Sequence, residues 1–292
     1  MSAENKEWGK EEERIDEVLK GASFKYSRSK EDVWSKMQEQ LGSEEDRSPK
    51  TAGTAQLNWW KMGVAASVTL TLMIGLVAIF YSKTVEVSRG ETAEVSLPDG
   101  SIVSLNSEST LSYKPLGWYF SRSAELSGEA FFDVEKGSKF TINSVNGSTS
   151  VLGTSFNIYS RGDDYRVFCE TGKVYVVAED KEVTLIPGEY AEIKPVVGLS
   201  KNEDISRDYA ISWRLNKFIY NTTALDKVIQ DIERQYDVQI NTSIKGLQDY
   251  HYTGIFQRSV DAKSALEIIC HSFDFVLTSD SNHSFEISDK KN

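Results

Sequence analysis

The sequence predicts a multidomain membrane protein: a short helical N-terminal end, one membrane-crossing helix, a large all-β region and a small α+β module. Three observations carry this. Residues 62–81 run without a charge. From Thr84 to about Val197, apolar and polar residues alternate at period two. From 213 to 288, short alternating runs flank two segments of helical spacing.

The N-terminal end, residues 1–58, carries two short helical patterns. Ile15, Val18 and Leu19 fall at i, i+3 and i+4, with Trp8 two turns upstream. Val33, Trp34, Met37 and Leu41 form a second apolar stripe. Ser29 precedes Lys30-Glu31-Asp32, and acidic residues suit the first turn of a helix. Gly42 ends the pattern, and 43–58 reads as a linker. Two short helices bury little surface by themselves, so the stripes suggest a helix-in-groove partner. A hairpin folded on itself, or lying on the membrane, is the alternative.

The membrane segment is placed at 59–83. Its core, MGVAASVTLTLMIGLVAIFY, is long enough at about 1.5 Å per residue to cross a bilayer's hydrocarbon, about 30 Å. Trp59, Trp60 and Tyr81 stand where aromatic rings meet headgroups, and Lys61 and Lys83 can snorkel. Nearly sixty mostly polar residues precede the run, unlike a cleaved signal peptide. Arg47, Lys50 and Lys61 before the span, against Lys83 and Arg89 after it, lean towards a cytoplasmic N-terminus.

The next region, 84–198, is β-rich. Ala93, Val95 and Leu97 alternate with Thr92, Glu94 and Ser96; Val103 and Leu105 follow the Pro98-Asp99-Gly100 turn. Ala130/Phe132/Val134, Phe140/Ile142, Tyr165/Val167/Cys169, Val174/Val176 and Val183/Leu185 continue the alternation. Turn signals at Gly117, Gly128, Gly137, Asn146-Gly147, Gly162, Gly172 and Pro187-Gly188 divide many short strands. A sandwich, a barrel and a β-solenoid all fit this spacing.

Residues 199–292 comprise a linker and the last module, which reads β-α-β-β-α-β-β with two helices on one face of a small sheet. Thr223 is placed as the cap of a helix bearing Leu225, Val228, Ile229, Ile232 and Tyr236. Asp261 is placed as the cap of a second, bearing Ala265, Leu266, Ile269, Cys270 and Phe273.

Composition narrows the function classes. The net charge is −11, with 10 Lys/Arg against 13 Asp/Glu in 1–58 and 21 against 31 in 84–292. No stretch is basic enough to track phosphates, so direct nucleic-acid binding is not expected. Cys169 and Cys270 form neither a disulfide framework nor a zinc spacing. They are expected as small buried hydrophobes, with a bridge left open. His251, His271 and His283 have no metal-ligand spacing, and no phosphate loop or nucleophile elbow occurs. The expectation is a non-enzyme with no cofactor, no metal and no catalytic residue.

Five blocks in order resemble the FecR family. Leu97-Pro98-Asp99-Gly100-Ser101 with Val103-x-Leu105-Asn106-Ser107 is similar to the family's opening motif. Leu126-x-Gly128-Glu129-Ala130-Phe131-Phe132-Asp133-Val134 and Val151-Leu152-Gly153-Thr154-x-Phe156-Asn157 follow. Gly172-x-Val174 and Leu185-x-Pro187-Gly188-Glu189 complete the order. Trp213-Arg214, Phe218-Ile219-Tyr220-Asn221, Glu233-Arg234-Gln235-Tyr236 and Val238-x-Ile240 resemble the C-terminal domain of Bacteroidetes-type members, itself similar to STN-type signalling domains. Asn216 stands where a Gly is usual, and Thr223 where a Pro is usual.

The resemblance implies a β-solenoid-like domain and an inner-membrane anti-sigma factor with the N-terminus in the cytoplasm and the C-terminus in the periplasm. It implies two partners: an extracytoplasmic-function sigma factor, held through Ile15, Val18, Leu19, Val33, Trp34, Met37 and Leu41, and the signalling domain of a TonB-dependent outer-membrane transporter. Read from the residues alone, the motif is structural. Gly100 and Gly188 suit turns, Gly153 suits close backbone approach, and Glu129 and Asp133 suit strand or turn roles. An anchored β-solenoid that binds glycans or envelope proteins is the alternative, and a polysaccharide-cleaving enzyme a third.

Overall fold

A computed structural model describes residues 20, 28–42, 59–194, 196–202, 206–281 and 283–290. Ile15, Val18 and Leu19 lie outside the described residues. The chain falls into two compact units, Met1–Val68 and Thr69–Asn292.

Helix α1 spans Lys30–Gly42. The Ser29 hydroxyl accepts from the Asp32 amide at 3.2 Å, capping a first turn that carries Glu31 and Asp32. Helix α2 spans Trp59–Phe80, and all of its described side chains are exposed. Among the described residues it is the one helix long and apolar enough to cross a membrane. It starts three residues before the uncharged run, and the Tyr81 amide still bonds the Val77 carbonyl at 2.8 Å.

The β region forms one sheet of 13 strands: β1 (Lys83–Val87), β2 (Ala93–Ser96), β3 (Ile102–Leu105), β4 (Ser109–Tyr113), β5 (Arg122–Asp133), β6 (Phe140–Ser144), β7 (Gly147–Val151), β8 (Ser155–Arg161), β9 (Asp164–Cys169), β10 (Val174–Ala178), β11 (Lys181–Leu185), β12 (Tyr190–Lys194) and β13 (Gly198–Asn202). The sheet doubles into two layers that share β5. One runs β1-β4-β5-β6-β7-β10-β11; the other runs β2-β3-β5-β8-β9-β12-β13. The first half of β5 pairs with β4 and β6, the second half with β3 and β8. At the far side, Lys181 Nζ donates to the Val197 carbonyl at 2.6 Å, so the fold is nearly closed and barrel-like.

This corrects the β-solenoid expectation. A solenoid stacks its coils in parallel, but in this sheet only β5 and β6 pair that way. Tight turns such as those at Asn146-Gly147 and Gly162 send β7 back beside β6 and β9 back beside β8, which makes hairpins. Gly128 is a second correction. It marks no turn between strands; it is the bend inside β5, at φ +107°. A Cβ there would lie 2.7 Å from Ser109 Cα.

The alternation read from sequence is the observed one. Val103, Leu105, Leu111, Phe132, Ile142 and Val176 are fully buried between the layers. Phe132 and Phe156 are cross-strand partners whose rings stack at 5.1 Å. On the outer face of the second layer, Phe131, Phe168 and Tyr190 are covered by Ile211, which follows the short helix α3 (Arg207–Ala210).

The C-terminal module follows the expected order: β14 (Lys217–Ala224), α4 (Leu225–Tyr236), β15 (Gln239–Thr242), β16 (His251–Gln257), α5 (Ala262–Phe273), β17 (Phe275–Ser281) and β18 (Ser284–Asp289). The strands form two sheets rather than one, β14-β16 and β15-β18-β17. Both share a core with Val228 and Ile232 of α4 and Leu266 and Ile269 of α5. Asp261 caps α5, accepting from the Ser264 amide at 3.0 Å. Thr223 does not cap α4: it stays in β14 opposite Tyr252, and Ala224 holds the cap position without a side-chain bond. Asn216 is left-handed at φ +54°, the conformation a Gly would ease. Cys169 and Cys270 are buried free thiols in separate cores.

Candidate functional site

Two features present recognition chemistry. The first is the face of α1. Val33, Trp34, Met37 and Leu41 are all exposed, Trp34 at 64% and Leu41 at 62%. The i, i+1, i+4, i+8 spacing sets them on one side of the helix.

The second is a cleft of about 420 Å³ in the larger unit, where the second β layer meets the C-terminal module. Glu129 projects from β5 and lines it. The Asn106 side-chain amide donates to Glu129 Oε2 at 2.8 Å, and that of Asn157 donates to Oε1 at 2.9 Å. Each amide is oriented from the other side. Gln235 of α4 donates to Asn106 Oδ1 at 2.9 Å, and Trp213 Nε1 donates to Asn157 Oδ1 at 3.2 Å. One carboxylate thus anchors two amide relays reaching the module and the segment that leads to it.

Ion pairs frame the junction. Lys227 Nζ lies 2.6 Å from Asp164, and Arg234 binds Asp231 at 2.7 Å while reaching Glu108 at 3.4 Å. The Gly90 amide donates to the Arg234 carbonyl at 2.9 Å. The Arg166 guanidinium sits 3.8 Å from the centre of the Tyr159 ring. Burial, with Asp231 nearby, pushes the Tyr159 phenol up to about 12. Loss of water raises the Glu129 carboxyl above its usual 4.5, although both amides and Arg161 pull the other way.

The sign of that shift gives a prediction. A carboxyl raised in the fold takes stability away as pH climbs from its unfolded value through its folded one. Glu129→Gln is expected to flatten this loss as pH rises above the usual 4.5, read as urea midpoints against the parent. It also leaves one amide without its acceptor, so the variant starts less stable at low pH.

The other motif residues build the scaffold. Pro98, Asp99 and Gly100 form the β2–β3 turn, where Arg122 Nε donates to Asp99 Oδ2 at 2.7 Å. Arg122 also donates to the carbonyls of Ser138 and Glu135, tying both ends of β5 together. Gly153 lets the Lys136 backbone approach; a Cβ would lie 2.7 Å from Lys136 Cα. Thr154 and Phe156 are buried, and Pro187-Gly188 turns into β12. None of these eight residues lines the cleft, whereas Glu129 does. Asn106, Asn157, Trp213 and Gln235 stood in the sequence only as members of the family-like blocks, with no role assigned, and Arg122 was not singled out.

Comparison with known proteins agrees with this architecture. The model of the FecR protein family matches residues 83–175, and that of the FecR C-terminal domain matches residues 217–287. Two crystal structures of candidate anti-sigma factors from Parabacteroides distasonis ATCC 8503 are similar. One is 24% identical with a TM-score of 0.66, the other 25% identical with a TM-score of 0.65. Each covers 72% of this chain and 100% of its own. No curated protein matches.

Proposed function

The chain belongs to the FecR family, and on that premise we propose that it is a single-pass membrane regulator of the anti-sigma type. Its N-terminal end, on the cytoplasmic side, holds an extracytoplasmic-function sigma factor. Its C-terminal part lies in the periplasm and receives the state of a TonB-dependent outer-membrane transporter. It works by binding, not by catalysis. The observation that carries this reading is the exposed stripe of α1 upstream of the long apolar helix α2. A stripe of Val, Trp, Met and Leu with no cover in its own short helix suits a partner's groove.

The junction supports a relay between the modules. A partner that moves the C-terminal module acts directly on Gln235 and Arg234, and through them on Asn106, Glu108 and Glu129. The module has a surface for such a partner: among the described residues β17 is an outer strand that pairs with β18 alone, which offers an edge for strand addition. An STN-like likeness between this module and the transporter's signalling domain would make that pairing natural.

Deleting residues 213–292 from the full chain is expected to abolish the response to a ligand-loaded transporter while sigma-factor capture persists. Reporter transcription and co-purification measure the two separately. A truncated protein that still responds would move the sensing surface to residues 84–198.

A further inference from the structure

We propose that the end of the β sandwich next to α2 docks on the bilayer surface, seating Tyr119 and Phe120 among the lipid headgroups of an acidic leaflet. This rests on α2 being the membrane span. Strand β1 begins at Lys83, three residues after α2 ends. That is about 10 Å of extended chain. Lys83 is opposite Tyr113, the last residue of β4. The β4–β5 loop therefore leaves the sheet at the end where the chain comes off the span.

The loop is built to display aromatic rings. Trp118 is driven into the core at 1% exposure, edge-on to Tyr113 at 5.7 Å and 5.4 Å from Phe140. The amides of Phe120 and Ser121 close the turn on the Gly117 carbonyl at 3.0 and 3.1 Å. With Trp118 pinned, the next two residues, Tyr119 and Phe120, face water at 85% and 94% exposure, and Leu116 is exposed nearby. A rigid pair of exposed aromatics marks an interaction surface, and rings of this kind favour the membrane interface.

The charge around the loop fits acidic lipid. The β5–β6 loop lies at the same end, because β6 starts opposite Arg122. The Gly137 amide bonds the Leu152 carbonyl at 2.9 Å and brings in the β7–β8 turn, and Gly172 packs on Thr154. This rim carries Lys83, Lys114, Lys136, Lys139 and Lys173, all exposed and without an ion pair among the described residues. Of the nearby acids, Asp99 is engaged by Arg122 and Glu170 by Arg207, which leaves Asp133 and Glu135. Leu152, 65% exposed, lies in a shallow groove flanked by Lys139 and Lys173. At the opposite end of the layer the β10–β11 turn is Glu179-Asp180. The sandwich thus has a basic, apolar end at the span, and the β10–β11 turn away from it is acidic, a combination suited to anionic headgroups.

The test uses the full chain in vesicles of phosphatidylethanolamine and phosphatidylglycerol with brominated acyl chains. An environment-sensitive fluorophore is placed at Ser121→Cys, at Val145→Cys on the opposite end, or at Met73→Cys inside α2. Cys169 and Cys270 stay unlabelled, since they are buried and burial raises their thiols to about 11. Docking gives quenching at 121 several-fold above that at 145, and the excess falls with Tyr119→Ser plus Phe120→Ser or in pure phosphatidylcholine. Equal signals at 121 and 145, with 73 quenched, overturn the docking and leave the span standing. An unquenched probe at 73 overturns the span, and the docking with it. Shielding at 121 that rises with the protein-to-lipid ratio assigns the patch to contact between copies and overturns the lipid assignment.

Discussion

Gly128→Ala is expected to cost the fold about 2–6 kcal/mol. Two effects add. An L-residue at φ +107° is strained by about 1–3 kcal/mol. The added methyl also falls 2.7 Å from both Cα and Cβ of Ser109, and overpacking of this kind costs about 1–3 kcal/mol. Ser109 cannot step aside, because its hydroxyl accepts from the Glu129 amide at 2.9 Å and its strand is paired on both sides. Gly162→Ala is the control. Gly162 is also left-handed, at φ +52°, but nothing lies within 4 Å of its added Cβ, so only the backbone term of about 1 kcal/mol remains. Urea denaturation of the two variants should separate them clearly. Equal midpoints would mean that β5 can bend without the close approach.

Trp34→Ala combined with Leu41→Ala is expected to weaken sigma-factor binding about a hundredfold. Each side chain is more than half exposed in the free chain, and burying one of this size is worth about 1.5–3 kcal/mol. Every 1.4 kcal/mol is about tenfold in affinity. The helix itself should survive, since Ala is a better helix former than either residue. Calorimetric titration with the sigma factor, alongside circular dichroism of the variant, reads both effects. Unchanged affinity would return the stripe to folding or to the membrane surface.

The strands were legible because burial between two layers imposes period two. Ala130, Phe132 and Val134 read inward and are inward. How the strands pair was not legible. Local alternation is the same in a solenoid and a sandwich, and the partners of β5 are set by segments far along the chain. Gly128 misled because a glycine in a strand pattern signals a turn and a bend alike. Thr223 has the side chain of a cap, but pairing with Tyr252 kept it in the strand. Glu129 was read in a strand or turn role, and it stands in β5. Its second role needed Asn106 and Gln235, which are 129 residues apart and meet only in three dimensions.

That separation also bears on the order of folding. Six of the twelve strand pairings in the sandwich join consecutive strands as hairpins, whose closure costs little entropy. The bonds from Gln235 and Arg234 close far longer loops. A chain emerging N-terminal end first completes the β surface bearing Asn106, Glu108 and Glu129 before α4 has been delivered. The junction then forms last, as one preformed face settling on another, and it should be the first contact to open when the protein is mildly destabilised.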